Sequence, residues 1–240
     1  MSIWNKFHNK INFYYQDQPF IIKGCLDNPS QYVSWKTIED CLNNPQNFSI
    51  EAINKFDGSK IDIPTTNCYW IPYKQVQVKS ELFNILNDGH TMIIAEYSWY
   101  NELTNALVQE LENSYDVGCD IHVYCSTQPS RSFHIHDDIP ANLICQVEGK
   151  TRWKVYNNRS SVLYQTGRLQ ERFRNLPEEN FDVILDEVLE PGDVLYIPAR
   201  QYHAAVPTEA RISMSIPCFS TQLRQFDKYD RNQYKSYQNN

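Results

Sequence analysis

The chain has 240 residues, 41% of them hydrophobic and 21% charged, which is enough to bury one core and suits an all-β barrel forming a single domain. A formal net charge of −7 argues against a dedicated nucleic-acid binder, whose affinity comes largely from neutralising phosphates. No apolar run reaches the roughly 18 residues of a membrane span or opens the chain as a signal peptide would, and seven scattered cysteines without a C-x-x-C pair favour neither a disulfide framework nor a zinc site. The expectation is a cytoplasmic protein with no membrane partner.

In chain order, residues 19–23 read as a short strand. Ser34 to Leu42 reads as a helix with Ser34 as its cap. A second helix is predicted over about 101–112, where Leu103, Ala106, Leu107, Val108 and Leu111 recur near helical spacing. From about residue 120 the texture changes to eight short β-rich runs broken by turns: IHVYC, SFHIHD, NLICQVEG, TRWKVYN, FDVILDEVL, DVLYIPA, HAAVP and RISMSIP. Such a series predicts a mainly β sandwich or barrel with flanking helices outside it. Pro191 and Gly192 sit where a type II turn wants them, launching residues 194–197 as a strand, and the next turn presents His203. The expected organisation is one structural domain, with helices and strands over 1–119 packing on a barrel core over 120–218 and a polar tail over 219–240. Residues 150–174 hold seven basic residues and one acidic, read either as a solvated face or as a docking patch for an acidic partner.

Alternation along a strand over 133–138 would put His134, His136 and Asp138 on one face. Two imidazoles and a carboxylate can occupy one face of an octahedron around Fe(II), leaving positions open for a bidentate co-substrate and for O2. His136 and Asp138 would supply two ligands. His203, straight after GDVLYIPARQY, is the best third, because His8, His90 and His122 lack comparable context. Counting His134 instead of Asp138 gives the three-His alternative of ordinary metal cupins, but the Glu that usually accompanies it is absent from 139–142. His134 is therefore read as a substrate-pocket residue, together with Trp153.

The stretches DGHT (88–91), Val123-Tyr124, HDDIPANLICQVEGKTRWKVY (136–156) and LEPGDVLYIPARQYHAAV (189–206) resemble the JmjC-type cupin oxygenases, most closely the ribosomal oxygenase branch. The resemblance covers roughly 85–217. It implies a double-stranded β-helix (jelly roll), iron held by His136, Asp138 and His203, and 2-oxoglutarate bound beside it. It also implies that Tyr124 and Asn142 help hold the 2-oxoglutarate carboxylates, and core packing is the alternative for Tyr124.

One position departs from the family pattern. Where a Lys or Arg usually pairs with the far carboxylate of 2-oxoglutarate, this chain has Thr151. Arg211, in an R-x-S element eight residues after His203, resembles the arginine that another branch of 2-oxoglutarate oxygenases uses for that carboxylate, and a guanidinium fork suits it. Arg211 is expected as the anchor, with Thr151 and Ser213 as hydroxyl donors, and a surface arginine opening a strand is the alternative. The activity implied is hydroxylation of a peptide or protein side chain, or of a natural-product precursor peptide, with release of succinate and CO2, and a homodimer is left open. The rivals are a tRNA- or small-molecule-modifying hydroxylase of the same superfamily and a non-oxygenase cupin binding module.

Overall fold

The computed structural model describes residues 3–7, 18–69, 71, 73–159 and 177–220, so the far part of the basic segment and almost all of the polar tail lie outside the described residues. In chain order come β1 (Phe20–Ile22), α1 (Trp35–Asn43), β2 (Ser49–Ile53), β3 (Thr65–Asn67), β4 (Gln75–Gln77), α2 (Lys79–Asn87), β5 (Thr91–Ala95) and α3 (Glu102–Tyr115). Then follow β6 (Val117–Cys119), β7 (His122–Ser126), β8 (Ala141–Glu148), β9 (Thr151–Arg159), β10 (Val183–Leu189), β11 (Val194–Ile197), β12 (Gln201–Pro207) and β13 (Arg211–Ser220).

The caps of α1 and α3 are set by local sequence. Ser34 Oγ accepts from the Thr37 amide while Thr37 Oγ1 accepts from the Ser34 amide, and Asn101 with Thr104 repeats the arrangement. Each reciprocal pair satisfies amides that the first helical turn leaves without partners.

The strands form a jelly roll of two antiparallel sheets. The larger runs β1-β11-β8-β13-β7-β5-β2, with β6 also on β13, and the smaller runs β10-β9-β12. A detached hairpin joins β3 to β4. Strand periodicity divides the larger sheet into two faces. Val123, Cys125, Leu143, Cys145, Ile212, Met214 and Ile216 pack outward in one cluster with α1, α2 and α3. Ile144, Leu195 and Ile197 face inward, against Trp153 and Val155 of the smaller sheet. Both faces are covered, which explains why β8 and β11 read as nearly unbroken apolar runs.

The turn over 190–193 forms as predicted: Asp193 N–H donates to Glu190 O at 2.9 Å, and Gly192 has φ 95°. Its neighbour closes it further, because the Asp193 carboxylate accepts from the Glu190 and Gly24 amides and from Lys23. Three residues of the basic segment are paired with the adjacent acidic strand and turns. Lys150 pairs with Glu190 (2.6 Å), Arg152 with both oxygens of Asp186 (2.6 and 2.7 Å) and Lys154 with Glu178 (2.6 Å).

The expected strand over SFHIHD is not present. Only His136 pairs, in a single antiparallel bridge to His203. The preceding residues are drawn off by side-chain contacts: Thr91 Oγ1 bonds Ser130 Oγ (2.9 Å) and the Arg131 carbonyl (3.3 Å), and the His134 ring bonds the Asp57 carbonyl (2.6 Å). Among the described residues no helix is long and apolar enough to cross a membrane.

Candidate metal centre

His203 stands on β12 of the smaller sheet, and His136 and Asp138 stand on the loop that leads into β8 of the larger one. The bridge between His136 and His203 ties the two together, with His203 N–H donating to His136 O (2.8 Å) and His136 N–H to His203 O (3.2 Å). Their ring centroids are 4.4 Å apart. One ligand atom from each of His136, Asp138 and His203 lies within 4.8 Å of the others, with Nε2 of His136 and His203 at 3.8 and 3.5 Å from the Asp138 carboxylate.

The orientation of both rings is fixed from behind. His136 Nδ1 donates to the His134 carbonyl (2.7 Å) and His203 Nδ1 to the Gln201 carbonyl (2.9 Å). In the neutral tautomer these bonds define, each Nε2 turns a lone pair toward the meeting point, the usual arrangement of a metal-bound histidine. Asn142 Nδ2 donates to Asp138 Oδ2 at 2.8 Å, and Ser215 Oγ donates to Asn142 Oδ1 at 3.3 Å. A borderline donor set of two nitrogens and one carboxylate oxygen, gathered on one side of the site, fits Fe(II). Burial pushes the His203 imidazole down, but the hydrogen bond and charge of Asp138, together with the Gln201 backbone and Asp137, outweigh it and leave it above its ordinary value.

The ligands open onto a pocket inside the barrel, walled by Tyr124 of β7, Ile144 of β8, Trp153 of β9, Ala205 of β12, and Arg211, Ser213 and Ser215 of β13. Arg211 is its most telling group. The side chain is fully buried, Nη1 donates to Ser213 Oγ at 3.3 Å, and Nε and Nη2 have no hydrogen-bond partner among the described residues. Its guanidinium lies 5.8 Å from the centroid of the Tyr124 ring, and burial lowers its pKa to about 10. Leaving a cation buried without a counter-charge costs on the order of several kcal/mol. A dianion in the pocket would supply the missing charge and two acceptors.

The remaining expected site residues fall in different places. Tyr124 and Trp153 line the pocket, and Trp153 Nε1 has no partner among the described residues. Ser213 lines it too, its hydroxyl donating to Gln146 Oε1 at 3.0 Å. Thr151 is buried and its hydroxyl has no partner among the described residues, but it is not part of the pocket wall. Asn142 bonds an iron-ligand candidate instead of facing the pocket. His134 does not share a face with His136: its Nε2 bonds the Asp57 carbonyl, and its ring walls a neighbouring groove. The correction follows from the missing strand, since alternation holds only for extended, paired backbone. Sequence reasoning missed Ser215, whose place in R-I-S-M-S-I, two residues beyond Ser213, was the available signal. It also missed the buried ion pair of Asp137 with Arg200 (3.1 Å), which braces the loop beside Asp138 while the Arg200 amide donates to the Asp138 carbonyl at 2.8 Å.

A jelly roll that gathers two histidines and one carboxylate at a pocket also walled by a buried arginine carries the donor set of a non-haem Fe(II) site. The chain belongs to the JmjC-domain family, whose model matches residues 98–226. Among curated proteins it is similar to the bifunctional lysine-specific demethylase and histidyl-hydroxylase NO66 of Drosophila grimshawi, 33% identical over 135 residues, which are 54% of this chain and 18% of that protein. The Drosophila yakuba protein of the same name is 38% identical over 96 residues, 40% of this chain and 14% of that one. The chain thus spans less than a fifth of these relatives. Among solved structures, YcfD, a ribosomal oxygenase from Escherichia coli in complex with cobalt and 2-oxoglutarate, superposes with a TM-score of 0.60 at 18% identity. That match covers 96% of this chain and 56% of YcfD, and it shows the shared fold.

Proposed function

We propose that this chain is an Fe(II)- and 2-oxoglutarate-dependent hydroxylase acting on a side chain of a peptide or protein. The observation that carries the reading is the pairing, in one pocket, of the His136, Asp138 and His203 cluster with a buried arginine whose Nε and Nη2 have no partner among the described residues. When bound there, Fe(II) with 2-oxoglutarate and O2 supplies the oxidising power to hydroxylate a C–H bond, with succinate and CO2 as co-products. His136 and His203 hold the metal as neutral imidazoles, their tautomer fixed by the carbonyls behind them. Asp138 holds it as a carboxylate, oriented by Asn142. Arg211 receives the far carboxylate of the co-substrate, with the Tyr124 and Ser213 hydroxyls on the same wall. Phe133, Ile144 and Trp153 keep the pocket apolar between these polar ends, excluding water and strengthening the charge pairing.

The names of the relatives, a histidyl-hydroxylase and demethylase on one side and a ribosomal oxygenase on the other, support a protein side chain as the substrate class. Lys150, Arg152 and Lys154 are each paired with an acidic neighbour, so these three offer little free charge to a nucleic-acid substrate. The test is succinate formation from 2-oxoglutarate with Fe(II), with and without candidate peptides, in wild type and His136→Ala. Iron-dependent turnover in wild type alone, with a peptide gaining one oxygen, is expected. No iron-dependent succinate under any condition would favour the binding-module alternative.

A further inference from the structure

The smaller sheet ends at β12, whose outer edge is paired at only one residue. β12 lies at the margin of the order β10-β9-β12, and among the described residues its sole neighbour on the open side is His136. The backbone groups of His203 exchange both bonds with His136 and so point away from β9. Peptide groups two residues apart on a strand point the same way. The N–H and C=O of Ala205 therefore aim at the same open side, while the intervening Ala204 faces β9. Pro207, two further on, offers a carbonyl and no N–H.

Opposite Ala205, where an unbroken ladder would continue through His134, no pairing forms, and the His134 ring bonds the Asp57 carbonyl instead. What remains is a groove lined by Phe133, His134, Ile135, Ala204, Ala205 and Val206. Phe133 and Ala205 also wall the metal pocket, so groove and pocket adjoin along these two residues. Small side chains at 204 and 205 leave room for another backbone to approach. An unpaired strand edge is a template for an extended chain.

We propose that the peptide substrate docks as an added strand on the β12 edge at Ala205, and that the residue paired with Ala205 is the one hydroxylated. Directly opposed residues on neighbouring strands project to the same face. The Ala205 side chain faces the metal pocket, so its partner's side chain enters that pocket as well. An antiparallel peptide, extending the sense of the His136 bridge, exchanges two bonds with Ala205 through the target residue. It gives one more to the Pro207 carbonyl from the amide two residues before the target. Recognition is then largely by backbone at these points, and side chains set the remaining selectivity.

This inference rests on the peptide-hydroxylase reading. The experiment uses the full chain with Fe(II), 2-oxoglutarate and a pool of random nonapeptides, scored for a gain of one oxygen. The most active peptide is then resynthesised with a single N-methyl group at each backbone position in turn. N-methylation at the target residue and at the residue two before it is expected to lower kcat/KM about tenfold, as loss of a hydrogen bond and of close approach would. N-methylation at the residue just before the target and the one just after it is expected to have little effect. Uniform sensitivity or none would overturn the edge-docking proposal while leaving the hydroxylase reading intact. A pool in which no peptide gains oxygen would instead overturn the peptide-hydroxylase reading and the docking with it.

Discussion

Along β13, Ile212, Met214 and Ile216 face the helices, while Arg211, Ser213 and Ser215 face the barrel interior. Arg211 and Ser213 are 1% and 2% exposed, against 0% for Ile212 and Met214, and Ser215 is half-buried. Alternation of polar and apolar residues usually separates solvent from core. Here it separates a pocket from a core. Ser213 and Ser215 are bonded to Gln146 and Asn142, while Arg211 Nε and Nη2 have no partner among the described residues and suit an anionic ligand. The apolar set provides the packing that keeps those groups in position.

Substitutions on the two faces should therefore fail differently. The largest contrast is between His203→Ala, expected to abolish Fe(II)-dependent succinate formation with the fold retained, and Ile216→Ala. The latter is expected to lose about 2–5 kcal/mol of stability with metal affinity preserved, as a core truncation does. Calorimetric metal titration and chemical denaturation of both variants would check the pair. Next, Arg211→Met should weaken 2-oxoglutarate about 100-fold, since two charge-assisted bonds are lost. The ligand-free variant should melt no lower than wild type, because an uncompensated buried charge is removed with it. A clear drop in its melting temperature would instead mark Arg211 as a packing residue.

Asn142→Ala distinguishes two roles for one amide. If it orients Asp138, metal affinity should fall about 10- to 100-fold with 2-oxoglutarate affinity little changed at saturating metal. The opposite pattern would mean direct contact with the co-substrate. The smallest effect concerns pH. Asp138 raises the His203 pKa in the metal-free protein in spite of burial, and only the neutral ring can bind metal. Metal affinity should thus fall as pH drops through that raised pKa, by about tenfold per unit below it, in a titration monitored across pH 5 to 8.

The legibility of the sequence follows the same division. The Ser34 cap, the Pro191-Gly192 turn and the pattern of β13 act through local chemistry, and the structure contains all of them. β2, β5 and α2 carry weaker signals. Thr91–Ala95 is a short apolar run covered on both sides, and α2 has Val78 at its N-cap, which offers no side-chain cap. The segment before His136 departs from the expected strand because long-range contacts to Thr91 and Asp57, invisible in local periodicity, pull it out of strand geometry. His203 and Arg211 were identified by motif and spacing, but the bridge joining His203 to His136 and the unpartnered nitrogens of Arg211 belong to tertiary structure.

The most direct test is diffraction from crystals soaked without oxygen in Mn(II) and 2-oxoglutarate, with the metal located by anomalous scattering. A single metal peak bonded to His136 Nε2, His203 Nε2 and an Asp138 oxygen, with the far carboxylate of the co-substrate on Arg211, is the expected result. A metal bound elsewhere, or an Arg211 that keeps its nitrogens away from the bound dianion, would contradict it.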